Sequence, residues 1–280
     1  MKVCCLTNTH NEYFNLPIWA RYYTGQFGAE NCIILDHGSD KDALQDIHGA
    51  SVIHLPKSHF DDVRRSRAVA LFAESMLKYY DAVVYTDCDE ILVADPRKFS
   101  GLTEMIEKSP IDAITAIGMN VIHDVKSEDP IVIGQSILSQ RRYIQFVSPM
   151  CKTLATKKPI TWGGGFHSSS FPPVFGDLYL FHLRAADFGE TLKRLAVTRK
   201  LNWADANAGL HQRRDNNSLF ELFGYYSNWP KTTDFSQVEE YKAEVLAKVT
   251  VNPHDHLFYV PRDVNPSNLV EVPSWFGVPF

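Results

Sequence analysis

The chain has 280 residues, of which 45% are hydrophobic and 22% are charged, and its formal net charge is −5. These values are typical of a globular protein that is long enough to bury one sizeable core. The net negative charge provides no basic field for non-specific contact with nucleic acid, so no nucleic-acid partner is expected. An anionic ligand would instead have to be held by local groups such as an arginine, a helix N-terminus or a metal ion.

The five cysteines form an odd set without a CxxC spacing, and three of them fall in apolar segments typical of buried strands. Free cysteine behaves there as a small apolar residue, which favours a reducing, cytoplasmic location over a disulfide framework or a zinc site. No signal peptide is expected before the strand-like residues 3–7, and no apolar run reaches the ~18 residues of a membrane-spanning helix. Peripheral membrane association is compatible with this sequence.

Short apolar runs alternate with amphipathic helical patterns in the first hundred residues. Strands are predicted over residues 3–7, 31–35, 52–55 and 82–86, and helices over residues 16–27 and 60–80. Further strands are predicted over residues 112–122, 143–147, 152–156 and 178–183, with helices over 187–200 and 237–249 and an aromatic tail over 252–280. This alternation indicates an α/β fold with a mostly parallel central sheet flanked by helices, and we expect one unit spanning residues 1–280.

Three of the predicted strands end in polar clusters, at residues 8–12, 36–40 and 87–90. Ligands of doubly wound sheets bind outside the C-terminal ends of the strands, so these clusters would line one crevice if their strands are neighbours. The third cluster, in VVYTDCDEIL, places Asp87, Asp89 and Glu90 directly after an apolar strand, where buried negative charge is costly unless a cation neutralises it. Clustered oxygens suit Mg²⁺ or Mn²⁺; the alternative is a solvated strand end with a helix-capping aspartate.

Other polar residues near these strand ends have both a functional and a structural interpretation. Asp36 could accept hydrogen bonds from a nucleotide, but Asp-His-Gly-Ser is also ordinary turn chemistry. The three arginines within residues 64–67 could pair with the preceding acids, with exposed solvent or with a diphosphate, and at most one or two of them can face a crevice. His182 leaves an apolar strand and could complete a metal shell or be a satisfied buried histidine. His167 follows three glycines that permit close approach of a ligand.

The order of several sequence pieces resembles the family 2-like glycosyltransferases with the GT-A fold. These pieces are TNTHNE followed by LPIWARYY, then ILDHGSDKD, and YTDCDEIL with its D-x-D motif. Later pieces, RRY, ITWGGGFHSS and LYLFHLRAADF, resemble a bacterial subgroup, so the resemblance covers roughly residues 2–200. The sequence has no GxSxG, GxxxxGK[ST] or GxGxxG motif, which excludes serine hydrolases with a nucleophile elbow, P-loop enzymes and standard dinucleotide-binding domains.

The resemblance implies a Rossmann-like GT-A domain with a helical or irregular C-terminal extension. Residues 1–100 would bind a nucleotide sugar, residues 101–200 the acceptor and a metal, and residues 201–280 would form the extension. A Mn²⁺ or Mg²⁺ ion would be bound by Asp87, Asp89 and His182. Acceptor selection is expected from residues 163–170, residues 204–217 and the aromatic tail. The residues expected to bind the nucleotide are Thr7, Asn11, Glu12, Asp36, Arg67 and Asp87.

The general base is less well marked by the sequence. Inverting members of the family use an acidic residue to take the proton of the acceptor hydroxyl. Glu128 lies in a Ser-Glu-Asp sequence that resembles this acidic motif but falls early in the chain. Asp187 and His167 are two further candidates, and both the base and the stereochemical course stay open at this point.

These features predict a metal-dependent glycosyltransferase that moves a sugar from a UDP- or GDP-linked donor to a saccharide or glycolipid acceptor in bacterial surface polysaccharide synthesis. One alternative is a sugar-phosphate nucleotidyltransferase, which should carry a glycine-rich phosphate loop after the first strand, where TNTHNE has no glycine. A second alternative is a catalytically inactive carbohydrate-binding or assembly protein. The intact Asp87, Asp89 and His182 argue against that alternative.

Overall fold

One large mixed sheet dominates the computed structural model, which describes residues 1–201, 213–277 and 279–280. Its first part is a parallel sheet with the strand order β3-β2-β1-β4. These strands are β1 (Val3–Thr9), β2 (Cys32–Asp36), β3 (Ser51–His54) and β4 (Ala82–Tyr85). They are connected through α1 (Asn15–Phe27) and α2 (Asp62–Met76). The predicted alternation of strands and helices, and with it the α/β fold class, is thereby confirmed.

The second part of the sheet contains antiparallel as well as parallel pairs. The further strands are β5 (Glu90–Ala94), β6 (Ala113–Ile122), β7 (Tyr143–Phe146), β8 (Thr153–Thr156), β9 (Ser168–Ser169), β10 (Phe175–His182), β11 (Lys231–Thr232), β12 (Thr250–Val251), β13 (Phe258–Tyr259) and β14 (Leu269–Glu271). Strand β8 joins β4 to β6 in antiparallel orientation, while β10 runs parallel to β6 and antiparallel to β5. Strands β12, β13 and β9 form a separate small sheet.

The sequence pattern did not predict every element. The other helices are α3 (Leu102–Lys108), α4 (Phe188–Thr198), α5 (Asn216–Asn228) and α6 (Gln237–Ala247). Strand β5 was missed because only the short acidic turn separates it from β4, α3 has only 7 residues, and α5 was not predicted either. In the part of the chain with assigned structure, none of the helices has the length and apolar character needed to cross a membrane.

Helix α2 presents its first turn to the C-terminal edge of the parallel strands. The helix begins after Asp61, whose carboxylate accepts hydrogen bonds from the N–H groups of Val63 and Arg64 at 3.0 Å. This N-cap satisfies two of the backbone donors that a helix leaves free at its start. Ser66, Val69 and other small or apolar residues of the helix are buried. Capping and burial together fix the direction in which the arginines of the first turn leave the helix.

The chain segment between β7 and β8 crosses closely over β6 at Gly118. Both strands pair with β6, and the connecting residues return the chain to it. A side chain at Gly118 would place its Cβ 2.6 Å from the nitrogen of Cys151 and closer still to the carbonyl group of Met150. The N–H of Ala116 donates to the carbonyl of Lys152 at 2.9 Å. The absent side chain of Gly118 therefore allows the crossing that delivers Lys152 to the interior.

The C-terminal residues pack an aromatic group against β10. Phe276 contacts the rings of Tyr179 and Phe181 edge to face, with ring centroids 5.0 and 5.1 Å apart, and Phe280 packs near Phe181. Such aromatic pairs contribute beyond their buried area. Strand β14 adds to β7, so this part of the chain is integrated into the main sheet.

We predict that Gly118→Ala strongly destabilises the protein, because the added methyl group would overlap backbone atoms that cannot move aside. The free energy of unfolding should fall by about 3 kcal/mol, at the upper end of the range for overpacked interiors. Urea unfolding measures this loss. Gly224→Ala in α5 is the matched control: its Cβ would meet no atom within 4 Å, and alanine raises helix stability by roughly 0.5–1 kcal/mol. Equal stability of the two variants would contradict the close crossing.

Candidate functional site

The acidic turn predicted from VVYTDCDEIL joins β4 to β5 at the C-terminal end of the parallel strands. The N–H of Glu90 donates to the carbonyl of Asp87 at 3.0 Å, and the Oε2 atom of Glu90 accepts from the N–H of Asp87 at 3.2 Å. These bonds close a tight turn in which Asp89 and Glu90 are buried. The turn therefore holds three carboxylates close together and largely shielded from water, where their repulsion is strong.

Asp87 is neutralised by cations of the protein itself. Its Oδ1 atom accepts hydrogen bonds from Arg65 Nη1 and from the hydroxyl of Tyr85, both at 2.8 Å, and its Oδ2 atom lies 3.7 Å from Lys152 Nζ. Burial raises the pKa of Asp87, but Arg65 and Lys152 outweigh it and lower the pKa to about 2. Asp87 is therefore ionised at neutral pH, and its oxygens are largely occupied by these partners.

Glu90 and Lys152 form a buried ion pair beneath the turn. The Oε1 atom of Glu90 and the Nζ atom of Lys152 are 2.5 Å apart, and their side chains are 1% and 3% exposed. Burial raises the pKa of Glu90 in spite of the nearby ammonium group. Burial also lowers the pKa of Lys152, but Glu90 and Asp87 outweigh it and leave that pKa above its ordinary value. The carboxylate of Glu90 and the ammonium group of Lys152 thus neutralise each other in the interior, unlike the two members of a surface salt bridge, which remain in contact with water.

Asp89 faces His182, which emerges at the end of β10. The Oδ2 atom of Asp89 and the Nε2 atom of His182 lie 3.4 Å apart, and Nδ1 of His182 lies 2.8 Å from the Oδ1 atom of Asn120 on the neighbouring strand β6. Burial raises the pKa of Asp89, while the charge and hydrogen bond of His182 lower it overall. Since Nδ1 is bonded to Asn120, Nε2 is the ring nitrogen of His182 that faces Asp89.

These two residues fit a divalent cation better than the third predicted ligand does. The Oδ2 atom of Asp89 and the Nε2 atom of His182 face each other, and carboxylate oxygens are ligands that suit Mn²⁺ or Mg²⁺. Asp87 uses its oxygens for Arg65, Tyr85 and Lys152. No group of three or more His, Cys, Asp or Glu side chains suited to hold a metal ion occurs among the described residues. A cation would therefore need its remaining ligands from water and substrate oxygens.

The loops after β1 and β2 form a connected wall at the same edge of the sheet. Asp36 is buried, and its two oxygens accept from the N–H of Ser39 and pair with Nδ1 of His54, both at 2.9 Å. Burial raises its pKa, but these hydrogen bonds lower it overall. Asn11, with φ of 54°, donates its N–H to the hydroxyl of Ser39 at 3.0 Å and accepts from the N–H of Asp40 at 2.8 Å. Asn11 and Asp36 thus lie on two loops that are joined by hydrogen bonds at one edge of the sheet.

The remaining predicted nucleotide residues have different surroundings. Thr7 is buried in β1, with its hydroxyl 3.3 Å from Cys88 Sγ in the acidic turn. Glu12 forms an ion pair with Arg194 of α4. Arg67 lies exposed on α2, whereas Arg65 reaches the carboxylate of Asp87. Residues 204–212 of the predicted acceptor region lie outside the described residues.

Two of the candidate general bases belong to a network around the buried Arg141. Asp187 caps α4 through the N–H of Glu190 at 3.0 Å, and its Oδ2 atom accepts from Arg141 Nη2 at 3.2 Å. Glu128 accepts from the N–H groups of Asp124 and Arg142 and lies 3.9 Å from Arg141. Since both carboxylates are held by backbone donors and by one buried guanidinium group, their contacts support a structural role.

His167, the third candidate base, faces the interior. Its Nδ1 atom donates to the carbonyl of Pro149 at 2.7 Å. Burial lowers its pKa to about 3, and the charge of Lys152 adds to this effect. A histidine with such a low pKa is neutral at pH 7 and a weak proton acceptor, because the efficiency of a base falls with its pKa.

The three glycines before His167 serve internal packing. A Cβ at Gly165, where φ is 65°, would lie 2.8 Å from the ring of His167, and a Cβ at Gly164 would contact Val63 of α2 at 3.4 Å. The turn stacks Phe166 on Tyr85, with the two ring centroids 4.1 Å apart. It also places the ring centroid of Phe166 5.1 Å from the guanidinium carbon of Arg65. The glycines thereby support the arginine that neutralises the acidic turn, a role that the ligand-approach hypothesis did not include.

Lys152 is the site residue that the sequence analysis missed. It was included only as the first residue of a predicted strand over residues 152–156. The signal that could have found it is a single charged residue within the largely apolar stretch PMCKTLAT. A lysine in such a stretch needs a buried carboxylate as its partner.

No protein-family model matches the chain, and no curated protein matches it. Similar solved structures include a mannosyltransferase from Pyrobaculum calidifontis in complex with GDP-Man and Mn²⁺, with 12% identity over 44% of this chain and a TM-score of 0.28. A CMP:2-keto-3-deoxy-manno-octonic acid synthetase in complex with CTP has 12% identity over 80% of this chain and 85% of its own, with a TM-score of 0.29. A mannose-1-phosphate geranyltransferase from Thermus thermophilus has 11% identity over 80% of this chain and 65% of its own, with a TM-score of 0.31. The match to the mannosyltransferase spans 35% of that protein's chain. TM-scores of 0.28 to 0.31 do not establish a shared fold.

We predict that Asp87→Asn lowers stability in a pH-dependent manner. The pKa of Asp87 is depressed in the folded state, so the stability it contributes is present above about pH 4 and is lost as the pH falls toward 2. The difference in the free energy of unfolding between wild type and variant should be constant from about pH 7 to 5 and should narrow below about pH 4, as measured by urea unfolding. Asp46→Asn removes an exposed carboxylate and is the control. A difference that stays constant down to about pH 2.5 would contradict the pairing with Arg65 and Lys152.

We predict that Asp187→Asn acts on stability, because it weakens the charged environment of the buried Arg141 while asparagine still caps the helix. The free energy of unfolding should fall by about 3 kcal/mol, as for other broken buried pairs. Glu190→Gln in the same helical turn is the control, since its pair with Lys193 is at the surface and contributes at most about 1 kcal/mol. Unchanged stability with loss of turnover would instead identify Asp187 as the general base.

Proposed function

We propose that the chain is a GT-A glycosyltransferase that transfers a sugar from a nucleoside diphosphate sugar, UDP- or GDP-linked, to a saccharide or glycolipid acceptor. The observation that carries this proposal is the convergence of Asp89 and His182, 3.4 Å apart, at the C-terminal ends of the parallel strands. This edge of a doubly wound sheet is where nucleotides bind. The geometry supplies two ligands for a cation at the place where a diphosphate would lie.

The nucleotide would occupy the crevice between the loops after β1 and β2. Asp36 and Asn11 lie on these loops. Their hydrogen bonds to Ser39 and Asp40 connect the two loops and would hold them in position before a ligand binds. A wall that is already ordered reduces the entropy cost of binding. Asp36 retains acceptor capacity on its oxygens beyond its bonds to Ser39 and His54, so it could accept from a base or ribose.

Asp89 and His182 would orient the diphosphate for departure. When bound, Mn²⁺ or Mg²⁺ would supply positive charge to the leaving diphosphate, on which negative charge develops as the glycosidic bond breaks. Asn120 would hold the ring of His182 in the tautomer whose Nε2 atom is free to bind. Asp87 would stay with Arg65 and Lys152 and define the floor of the crevice.

We predict that UDP or GDP binds more tightly in the presence of Mn²⁺ than in its absence, as measured by isothermal titration calorimetry, with CMP as a further ligand. Asp89→Ala should abolish the metal-dependent gain in affinity, and Asn120→Ala should reduce it roughly tenfold, as is typical when the partner of a metal ligand is lost. Asp177→Ala is the matched control, since Asp177 lies toward the other end of β10 and pairs with Lys98 at the surface.

The outcome distinguishes the proposed function from its rivals. If no nucleoside diphosphate binds better with metal, the transferase proposal fails. Release of pyrophosphate from a nucleoside triphosphate and a sugar phosphate would identify a nucleotidyltransferase. Sugar binding without any nucleotide binding would identify a carbohydrate-binding protein.

A further inference from the structure

The acidic turn carries a nearly balanced set of buried charges. Three carboxylates, on Asp87, Asp89 and Glu90, lie beside two permanent cations, Arg65 and Lys152. These three negative and two positive charges leave the five side chains with a net charge of −1. Most of the negative charge is therefore compensated before any ligand binds.

Lys152 occupies the position between two of these carboxylates. Its Nζ atom is 2.5 Å from Glu90 Oε1 and 3.7 Å from Asp87 Oδ2. It reaches this position from the segment that crosses β6 at Gly118, and thus from a part of the chain far from the acidic turn in sequence. An ammonium group held between two carboxylates repels a second cation that approaches the same oxygens.

We propose that Lys152 is an internal counter-ion that keeps a divalent cation away from Asp87 and Glu90 and makes cation binding at Asp89 and His182 depend on a nucleoside diphosphate. This inference rests on the proposed function. It adds the residue that couples binding of the divalent cation to binding of the nucleoside diphosphate. Two protein ligands in a nearly neutral cluster hold a divalent cation weakly. A diphosphate brings the missing negative charge and oxygen ligands, so cation and nucleotide bind together.

The same contacts allow Lys152 to be tested against a purely structural role. If Lys152 only stabilises the fold, its removal lowers stability and leaves cation affinity unchanged. If it is the counter-ion, its removal exposes two carboxylates and raises the affinity for a cation in the absence of nucleotide. Binding of Mn²⁺ alone is therefore the informative measurement, and it requires neither a sugar donor nor turnover.

The experiment measures free Mn²⁺ by electron paramagnetic resonance with wild type, Lys152→Met and Lys152→Arg, all without nucleotide. We expect Lys152→Met to bind Mn²⁺ about tenfold or more tightly than wild type, since removing one buried positive charge strengthens the attraction for a divalent ion. Lys152→Arg keeps the charge and should resemble wild type. The factor by which UDP or GDP raises Mn²⁺ affinity should be smaller in Lys152→Met than in wild type.

A second pair of variants tests the proposal even where Lys152→Met does not fold. Glu90→Gln leaves Lys152 paired with Asp87, and the double variant Glu90→Gln/Lys152→Met removes the buried pair as a unit, so that neither member is left unpaired in the interior. The double variant should bind Mn²⁺ more tightly than Glu90→Gln alone. Circular dichroism verifies that both are folded.

The proposal is overturned if removing Lys152 changes Mn²⁺ affinity less than about twofold in folded protein in both comparisons. That result is separable from failure of the proposed function. If Mn²⁺ affinity rises as expected but no nucleoside diphosphate binds, the role of Lys152 as counter-ion to Asp87 and Glu90 stands, and both the coupling to a diphosphate and the transferase function fall. If nucleotide binding is metal-dependent but Lys152→Met gains no Mn²⁺ affinity, the transferase function stands and the role of Lys152 as counter-ion falls.

Discussion

Three carboxylates within four residues can be buried at the end of an apolar strand only if the chain supplies positive charge around them. The structure meets this constraint with Arg65 from α2 and Lys152 from the segment before β8. Much of the surrounding architecture serves these two cations. The N-cap of α2 and the glycine turn that carries Phe166 position the first, and the crossing at Gly118 delivers the second.

The three carboxylates are compensated in different ways. Asp87 and Glu90 pair with permanently charged groups, whereas Asp89 faces His182, whose ring is oriented by Asn120. The turn therefore combines two carboxylates that have a lysine or arginine partner with one whose partner is a histidine. A D-x-D sequence alone does not distinguish these roles, since its two aspartates look equivalent in the sequence.

The sequence predicted the elements whose signal is local. Apolar runs marked β1, β2 and β4, and helical periodicity marked α1 and α2. The positions of the acidic turn and of His182 were also predicted, because both follow directly from apolar strands. Strand β5, the role of Lys152, the pairing of Arg65 with Asp87 and the network of Asp187 with Arg141 were not predicted. These features depend on contacts between separate segments, and side-chain direction at such contacts has no signature in a local pattern.

The crossing at Gly118 also has a consequence for the order in which the protein can fold. Lys152 and Glu90 are 62 residues apart in the chain, whereas Arg65 and Asp87 are 22 apart. Closing the longer loop costs more chain entropy. A nascent chain that has completed only its parallel strands still carries an acidic turn with one of its two cations missing. The electrostatic environment of the acidic turn therefore depends on a long-range contact, and a chain cut before residue 152 would contain the D-x-D sequence without Lys152.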